Sequence, residues 1–277
     1  MFNTVLLLGL MTGILLGVGW LFGGVFGMTL ALIIAVAINF ISYWYSDKIV
    51  LRMYKAKPSN DAKLNSMVER LAKEAKIPKP RVYTVPTQVP NAFATGRNRK
   101  HAVVAVTDGL MGLTDDEMEG VLAHELGHIR NNDMLTSAVA ATVAGAISYV
   151  AQIGYFSMFS GGERDNANIV GLILMVVFAP LAAFLVRMAI SRGREYEADR
   201  LGAILTKNPD GLASALNKIE TMAKEKPLKG SAATSNMWIA NPFRRDSFTG
   251  LFSSHPPMDK RIRRLQDMEP RINDMKL

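Results

Sequence analysis

Three stretches of the chain contain no charged residue, and these stretches limit the possible fold more than any other feature of the sequence. They cover residues 1–46, 134–162 and 166–186 of a 277-residue chain. An uncharged apolar run of roughly 18 residues or more is typical of a transmembrane helix. The sequence therefore predicts an integral membrane protein whose charged residues are collected in separate polar segments.

The first stretch is too long for a single crossing of the membrane. One helix over residues 1–46 would measure about 69 Å, against a hydrocarbon layer of about 30 Å. A glycine cluster, GWLFGGVFG, interrupts the stretch near its middle. We therefore predict two helices, at about 3–22 and 28–45, which turn at Gly23–Gly24.

The second hydrophobic region supplies two more candidate helices, at about 134–159 and 168–190. The first of these is rich in Ala, Ser, Thr and Gly, so a buried helical hairpin that does not fully cross the membrane is an alternative. Both helix pairs are followed by Lys and Arg, an excess that marks cytoplasmic loops. These residues are Lys48, Arg52, Lys55 and Lys57 after the first pair, and Arg187, Arg192 and Arg194 after the second.

This charge bias predicts both the orientation and the division of the chain. The short linker within each helix pair faces outward, whereas the polar segments and both termini face the cytoplasm. The chain then consists of a transmembrane hairpin at 1–46, a first polar part at 47–133, a second hydrophobic hairpin at 134–190 and a second polar part at 191–277.

The first polar part begins with a helix and three short strands. The helix has an apolar stripe at helical spacing, with Ser59 or Asn60 as its N-cap. The segments RVYTV, NAFATG and HAVVAV, at 81–85, 91–96 and 101–106, follow as strands. We expect them to form a small sheet.

Four more helices are expected in the polar parts after this sheet, one of them over SRGREYEADRLGA at 191–203. Thr114 followed by Glu117 fits a capping box, which starts a helix at about residue 115. Residues 209–220 form an amphipathic pattern. The last helix carries Pro256 and Pro257 in its first turn, where proline is tolerated.

The helix that begins near residue 115 carries the motif HELGH. Its His124 and His128 are one turn apart and share a face, so both imidazoles can bind one metal ion. Glu125 lies beside them, where its carboxylate can accept a proton from water. The chain has no cysteine, so zinc would be held by histidine and carboxylate. The pattern predicts a zinc hydrolase with one Zn²⁺ per chain.

The predicted fold is therefore a mostly α integral membrane protein. It has about four transmembrane helices and a zincin-like α+β catalytic domain with a small β-sheet. The two polar parts, at 47–133 and 191–277, together form this catalytic domain.

A third zinc ligand is expected, because catalytic zinc sites usually have three protein ligands. The segment SRGREYEADRLGA places Glu195 and Asp199 four residues apart on one helix face, whereas Glu197 points away. We assign Glu195 to the metal and Asp199 to a hydrogen bond that orients a ligand histidine. The alternative is a surface helix whose acids pair with neighbouring arginines.

The net charge of +8 raises the question of nucleic-acid binding. The chain contains no basic run interleaved with aromatic residues and no recognisable nucleic-acid motif. We therefore expect no nucleic-acid partner, and we attribute the excess to the Lys/Arg bias of cytoplasmic loops.

Taken together, these motifs resemble the HtpX family of membrane zinc metalloproteases and, more distantly, the type I CAAX prenyl endopeptidases. HELGH, a hydrophobic hairpin, EYEAD and SHPPMDKRI occur in this order, with NAFATG and NMWIANPF also matching. The resemblance covers essentially the whole chain. It implies zinc ligation by His124, His128 and Glu195, with Glu125 as the general base. It also implies a cytosol-facing site in the bacterial inner membrane and degradation of unfolded or misfolded membrane proteins under stress.

Three further positions are candidates for substrate or transition-state contacts. NAFATG looks like the edge strand that receives the substrate backbone, with Asn91, Ala92 and Phe93 as contacts, or it is an ordinary strand. His255 is a candidate donor to the oxyanion, or a polar residue before a helix. Arg261 either pairs with a carboxylate near the site or lies on a solvated face.

Three other functions compete with this prediction. An intramembrane site-2 protease is hinted at by NPDG at 208–211, but this segment also fits a turn and an N-cap. A non-enzymatic zinc-stabilised scaffold or transporter would not need Glu125 and would place polar groups in its spans. The predicted spans hold little beyond Asn39 and Gln152. A CAAX-type prenyl protease differs by substrate alone.

Overall fold

The computed structural model describes residues 2–135, 192–225, 239 and 256–275. The predicted second hydrophobic pair, at 134–159 and 168–190, lies outside these residues except for its first two positions. His255 also lies outside them.

The chain begins with α1 (Phe2–Trp44), which is two helices separated by a sharp turn at Gly23 and Gly24. Gly24 has a φ of 56°, a conformation that glycine adopts without strain. The two helices lie side by side, because Asn39 Nδ2 donates to Thr12 Oγ1 at 3.0 Å. The predicted turn is therefore confirmed. By length and composition, one helix of the described part, Gly23–Trp44, is suited to cross a membrane.

A four-stranded sheet follows, and it contains the three predicted strands. After α2 (Ser46–Met53), the strands are β1 (Lys57–Pro58), β2 (Arg81–Val85), β3 (Ala92–Thr95) and β4 (Val103–Thr107). Their order in the sheet is β1-β2-β4-β3. The pair β2–β4 is parallel, and the pairs β1–β2 and β3–β4 are antiparallel. The strand β3 is therefore an edge strand.

The two faces of the sheet are covered by different helices. On one face, α2 contributes Val50 to a small apolar cluster with Val85 and Phe93. On the other face lies the main core, to which α3 (Ala62–Glu74) contributes Leu64, Val68 and Leu71. The predicted N-cap of α3 is wrong: the carboxylate of Asp61 accepts the Leu64 N–H at 3.0 Å. The Ser59 hydroxyl accepts from the Asp61 N–H instead.

The main core is completed by α4 (Asp115–Asn131), which carries HELGH. Its start is confirmed, because Thr114 and Glu117 form both hydrogen bonds of a capping box. The helix ends at Asn131, and Asn132 is left-handed with a φ of 59°. The sequence also predicts that the HELGH helix runs out into the hydrophobic segment at about 134–159. This prediction is wrong, because the chain turns at Asn132, before that segment begins.

Three more helices complete the described part: α5 (Arg192–Thr206), α6 (Pro209–Glu225) and α7 (Met258–Gln266). The helices α5 and α6 pack against α4 and against each other, and α7 packs against α5 and α6. The NPDG segment caps α6, because the Asn208 side chain accepts the Gly211 N–H at 3.0 Å. The two prolines lie one or two residues before the predicted position in the first turn. Pro257 is the N-cap of α7, with an extended ψ of 133°, and Pro256 precedes it.

Candidate metal centre

Three potential metal ligands meet where α4 packs on α5. The Nε2 atoms of His124 and His128 lie 3.2 Å apart. The carboxylate of Glu195 lies 3.5 Å from His128 Nε2 and 3.9 Å from His124 Nε2. One ligand atom of each residue lies within 4.8 Å of the others. The spacing of HELGH and EYEAD thus brings two imidazoles and one carboxylate to a common point.

Two glycines allow the helices to approach closely enough for this meeting. A Cβ atom at Gly127 would lie 3.2 Å from the backbone of Ala198 on α5. A Cβ atom at Gly202 would lie 3.1 Å from the backbone nitrogen of His124 on α4. Side chains at these two positions would push the helices apart and separate Glu195 from the histidines.

The second imidazole nitrogen of His124 is held by a buried ion pair. His124 Nδ1 lies 2.9 Å from the Asp199 carboxylate. Arg261 donates two hydrogen bonds to the same carboxylate, at 2.9 and 2.7 Å, and its Nη1 lies 3.5 Å from Glu195. Arg261 is fully buried. Of the two alternatives for Arg261, the structure therefore supports pairing with carboxylates at the site.

The second nitrogen of His128 is held by Asp133, a residue that the sequence motifs did not point to. His128 Nδ1 lies 3.2 Å from an Asp133 oxygen, and the other oxygen accepts from Arg194 at 3.4 Å. The sequence could have indicated such a residue, because each ligand histidine needs a hydrogen-bond partner for its second nitrogen. Asp199 was assigned to only one histidine, so a second acid was to be expected beside the other.

The charges of the centre suit a divalent cation. Four carboxylates meet two guanidinium groups, which leaves an excess of two negative charges when all four acids are ionised and both imidazoles are neutral, the form in which they bind a metal. The acids are Glu125, Asp133, Glu195 and Asp199, and the arginines are Arg194 and Arg261. A buried excess of this kind is costly unless a cation balances it. The donor set of two imidazoles and a carboxylate is one that zinc prefers.

The pKa values of the two ligand histidines shift in opposite directions. Burial opposes protonation of His128, yet the hydrogen bond to Asp133 and the charge of Glu195 raise its pKa to about 9. Burial dominates at His124 and lowers its pKa, despite the opposing effect of Asp199. For Asp199 itself, burial is outweighed by Arg261 and His124, and the pKa falls to about 2.

Glu125 lies between the metal ligands and the edge strand β3. It is buried, and burial is the main reason why its pKa rises to about 7. A hydrogen bond from the backbone N–H of Ala94 acts in the opposite direction. A carboxylate with a pKa near neutrality can both accept and return a proton at physiological pH.

The predicted substrate residues on β3 differ in what they contact. The Asn91 side chain accepts from the Ile239 N–H at 2.9 Å, and its backbone pairs with Thr107. The Phe93 ring packs against Tyr54, on the sheet face away from the metal centre. Successive residues of a strand direct their backbone groups to opposite edges. The backbone groups of Ala92 and Ala94 therefore face the outer edge of β3, which is called the free edge because no other strand of the described residues pairs with it. On this edge the Ala94 N–H donates to Glu125.

The family of the chain follows from its sequence. Residues 58–269 match the profile of Peptidase family M48. The chain belongs to peptidase family M48. A curated relative from Pyrococcus furiosus, named "Protease HtpX homolog", is 51% identical over 95% of this chain and 94% of its own length. Another of that name, from Persephonella marina, is 47% identical over 99% of both chains. The resemblance to the HtpX family is thus confirmed.

Among solved structures, the chain is similar to the crystal structure of S. mikatae Ste24p. The TM-score is 0.55 at 20% identity, over 93% of this chain and 62% of that chain. At this identity the likeness concerns the fold. It confirms the coarse fold prediction, a mostly helical protein with a small mixed sheet. As a member of peptidase family M48, the chain is a metalloprotease.

Proposed function

We propose that this chain is a zinc endopeptidase of the bacterial inner membrane, with its site on the cytosolic side. Its substrates are unfolded or misfolded membrane proteins, and its role is quality control under stress. The observation that carries the enzymatic part is one cluster: two imidazoles, a carboxylate and Glu125 beside a free strand edge. The cellular role rests on the resemblance to the HtpX family.

In this proposal His124, His128 and Glu195 hold a single Zn²⁺. Bound zinc lowers the pKa of a water molecule to about 7 and polarises the carbonyl of the scissile bond. Asp199 and Asp133 accept the Nδ1–H of the two histidines, which leaves both Nε2 atoms free to face the metal. The centre therefore needs no rearrangement of its histidines to accept the ion.

Glu125 acts as the general base and then as the general acid. It accepts a proton from the attacking water and returns it to the leaving amine nitrogen. Its burial supports both steps, because a pKa of about 7 favours neither proton state strongly. His255 remains the proposed donor to the oxyanion of the tetrahedral intermediate.

The strand β3 receives the substrate as an added antiparallel strand. The backbone groups of Ala92 and Ala94 lie on its free edge, and main-chain pairing gives affinity without demanding a particular sequence. The Ala94 N–H lies within hydrogen-bond reach of Glu125. A substrate strand paired to this edge would pass next to the base.

The membrane-facing part of the proposal rests on the end of α1. Arg97, in the turn after β3, lies over the ring of Trp44 at 4.6 Å and donates to its carbonyl oxygen. Tryptophan is enriched at the membrane–water interface. The strand β3, which would receive the substrate, therefore lies close to the end of the candidate span. Lys48 and Arg52 are exposed on α2 directly after it, which supports a cytosolic side for this face.

The test is cleavage of β-casein by the detergent-purified, zinc-loaded full chain. Wild type is expected to cleave, and chelator is expected to stop cleavage. Glu125→Gln is expected to lower kcat by about 10²–10⁴-fold with zinc retained. Glu119→Gln, on the same helix but paired with Arg70 outside the centre, is the matched control and should keep full activity.

Three outcomes would contradict the proposal or one of its parts. Zinc bound with no cleavage by wild type would favour a non-enzymatic scaffold. Cleavage restricted to a prenylated C-terminal peptide, supplied in a parallel reaction, would favour a CAAX-type prenyl endopeptidase. Equal cleavage by wild type and Glu125→Gln would remove Glu125 from its assigned role.

A further inference from the structure

The two ligand histidines are each held by an acid and an arginine, but the two arrangements differ in exposure. The group His124–Asp199–Arg261 is almost fully buried, with 3% or less of each side chain exposed. In the second group, His128 is 15% exposed, Asp133 10% and Arg194 22%. The second group lies closer to the surface and has room to adjust.

The contact between Asp133 and His128 depends on the turn at Asn132. On an uninterrupted helix, residues five apart point about 140° away from each other and do not meet. The left-handed Asn132, with a φ of 59° and a ψ of 31°, ends α4 and redirects the chain. Asparagine tolerates this conformation better than most residues. The turn brings the Asp133 carboxylate back to His128 Nδ1.

Asp133 and Arg194 also lie on either side of the second hydrophobic region in the sequence. Asp133 precedes residues 136–191, and Arg194 follows them. Their side chains nevertheless lie 3.4 Å apart. The two positions at which the chain leaves and re-enters the catalytic domain are therefore in contact through Asp133 and Arg194. Asp133 in turn contacts the candidate metal ligand His128.

We propose that Asp133 and Arg194 form a clamp that positions His128 for the metal. Asp133 accepts the Nδ1–H of His128 and so sets the orientation and the tautomer of the ring. Arg194 donates to Asp133 and holds its carboxylate in place. The clamp also joins the two ends of the 136–191 segment, so a force that separates these ends weakens metal binding. By linkage, bound metal opposes their separation to the same extent. This inference rests on the metal site of the proposed function.

The test is the zinc affinity of the full chain in detergent, measured by competition with a fluorescent chelator. Asp133→Ala is expected to weaken zinc binding by about 10–100-fold, the usual effect of removing a partner of a ligand histidine. Asp133→Asn keeps an oxygen that accepts the Nδ1–H, so a smaller loss is expected. Glu197→Ala is the matched control, because Glu197 pairs with Arg200 outside the centre and should leave affinity unchanged.

Two more variants separate positioning from general damage. Arg194→Gln is expected to lower zinc affinity several-fold in wild type and to have no further effect when Asp133 is already Ala. Asn132→Gly keeps the left-handed turn and should bind like wild type. Asn132→Val disfavours the turn and should weaken binding toward the level of Asp133→Ala. Thermal unfolding of each zinc-free variant checks that the protein is folded.

Hydrogen exchange gives a readout that a purely structural role would not change. Saturating zinc is expected to slow exchange in peptide 129–135 of wild type and Glu197→Ala, but not of Asp133→Ala. Peptide 192–198, which contains the ligand Glu195, should be slowed in all three. Folded Asp133→Ala with wild-type zinc affinity would overturn the clamp and leave the proposed peptidase intact. An additive loss in the Asp133→Ala/Arg194→Gln double variant would also overturn it. A wild-type chain that binds no zinc would overturn both.

Discussion

The helices of α1 and the metal centre place their polar and apolar side chains in opposite ways. On α1, large apolar side chains are exposed, with Val25 at 72%, Phe26 at 80% and Ile33 at 62%. In the metal centre, charged side chains are buried, with Arg261 at 0%, Asp199 at 2% and Glu195 at 5% exposure. Neither arrangement is favourable for a protein surrounded by water alone.

This contrast fits the proposed function, in which α1 faces lipid and the buried acids face a metal ion. The exposed apolar surface of α1 is stable against hydrocarbon, where its backbone hydrogen bonds are already satisfied within the helices. The buried acids are stable when arginines and a cation offset their charges. The two regions are linked through Trp44 and Arg97, so the candidate membrane span is in direct contact with the turn after β3.

The largest expected effect comes from removing the guanidinium group of Arg261, the buried positive charge at the metal centre. Arg261→Met would leave Asp199 and Glu195 buried without their shared partner, at a cost of about 3–5 kcal/mol in unfolding free energy. Denaturant unfolding of the zinc-free protein measures this cost. Arg263→Met, on the exposed side of the same helix, is the control and should change stability by less than about 0.5 kcal/mol. Equal effects of the two variants would show that the buried charges are not coupled.

The next largest effect is expected on α1. Ile33→Asp places a charge at the middle of the Gly23–Trp44 helix, which costs about 2.5–3.5 kcal/mol if that position faces lipid. The fraction of chains that resists carbonate extraction from membranes should fall, whereas Ile33→Leu should leave it unchanged. If Ile33→Asp raised solubility without loss of membrane association, this helix would not face hydrocarbon.

A smaller effect is expected at the start of α4, where Glu117 shows that a buried acid can be satisfied without a metal. Burial opposes its ionisation, but Lys218, Ser214 and the Thr114 backbone outweigh burial and lower the pKa to about 2. The pKa of the folded state lies below that of the unfolded state. The stabilisation is therefore complete above about pH 4.5 and is lost as the pH falls toward 2.

The corresponding measurement compares wild type with Glu117→Gln at pH 6, 4 and 3. At pH 6 the variant should be less stable by about 1–3 kcal/mol, because a buried charged hydrogen bond is lost. The difference should shrink at each lower pH. Glu74→Gln, an exposed acid on α3, is the control. A difference that stays constant with pH would mean that Glu117 is not ionised in the folded protein.

The smallest effect belongs to the polar contact between the two helices of α1. A double-mutant cycle of Asn39→Leu and Thr12→Val should give a coupling of about 0.6 kcal/mol, the average for such bonds between membrane helices. Unfolding in mixed micelles measures it. A coupling above about 2 kcal/mol would mean that this pair, rather than apolar packing, holds the helices together.

The sequence predicted those features that depend on neighbouring residues. The Gly23–Gly24 turn, the capping box of α4 and the shared face of His124 and His128 all follow from short-range geometry. The meeting of Glu195 with the histidines was predicted from the usual ligand number of zinc and from the four-residue spacing of Glu195 and Asp199, and the resemblance to the HtpX family implied it as well.

The features that the sequence did not predict depend on packing between distant parts of the chain. The burial of Arg261 is set by the way α7 packs against α5. The role of Asp133 depends on one left-handed residue, Asn132, which no periodic pattern indicates. The N-cap of α3 was ambiguous because Ser59, Asn60 and Asp61 are all good capping residues in succession.

Zinc K-edge X-ray absorption on the purified full chain, with metal content measured on the same sample, tests whether the buried histidines and acids hold a zinc ion. We expect one zinc per chain, bound by two imidazole nitrogens and by carboxylate or water oxygens. His128→Ala should remove one imidazole from the spectrum. A chain without stoichiometric zinc, or a zinc spectrum without histidine scattering, would contradict the claim that these buried charges are arranged around a metal ion.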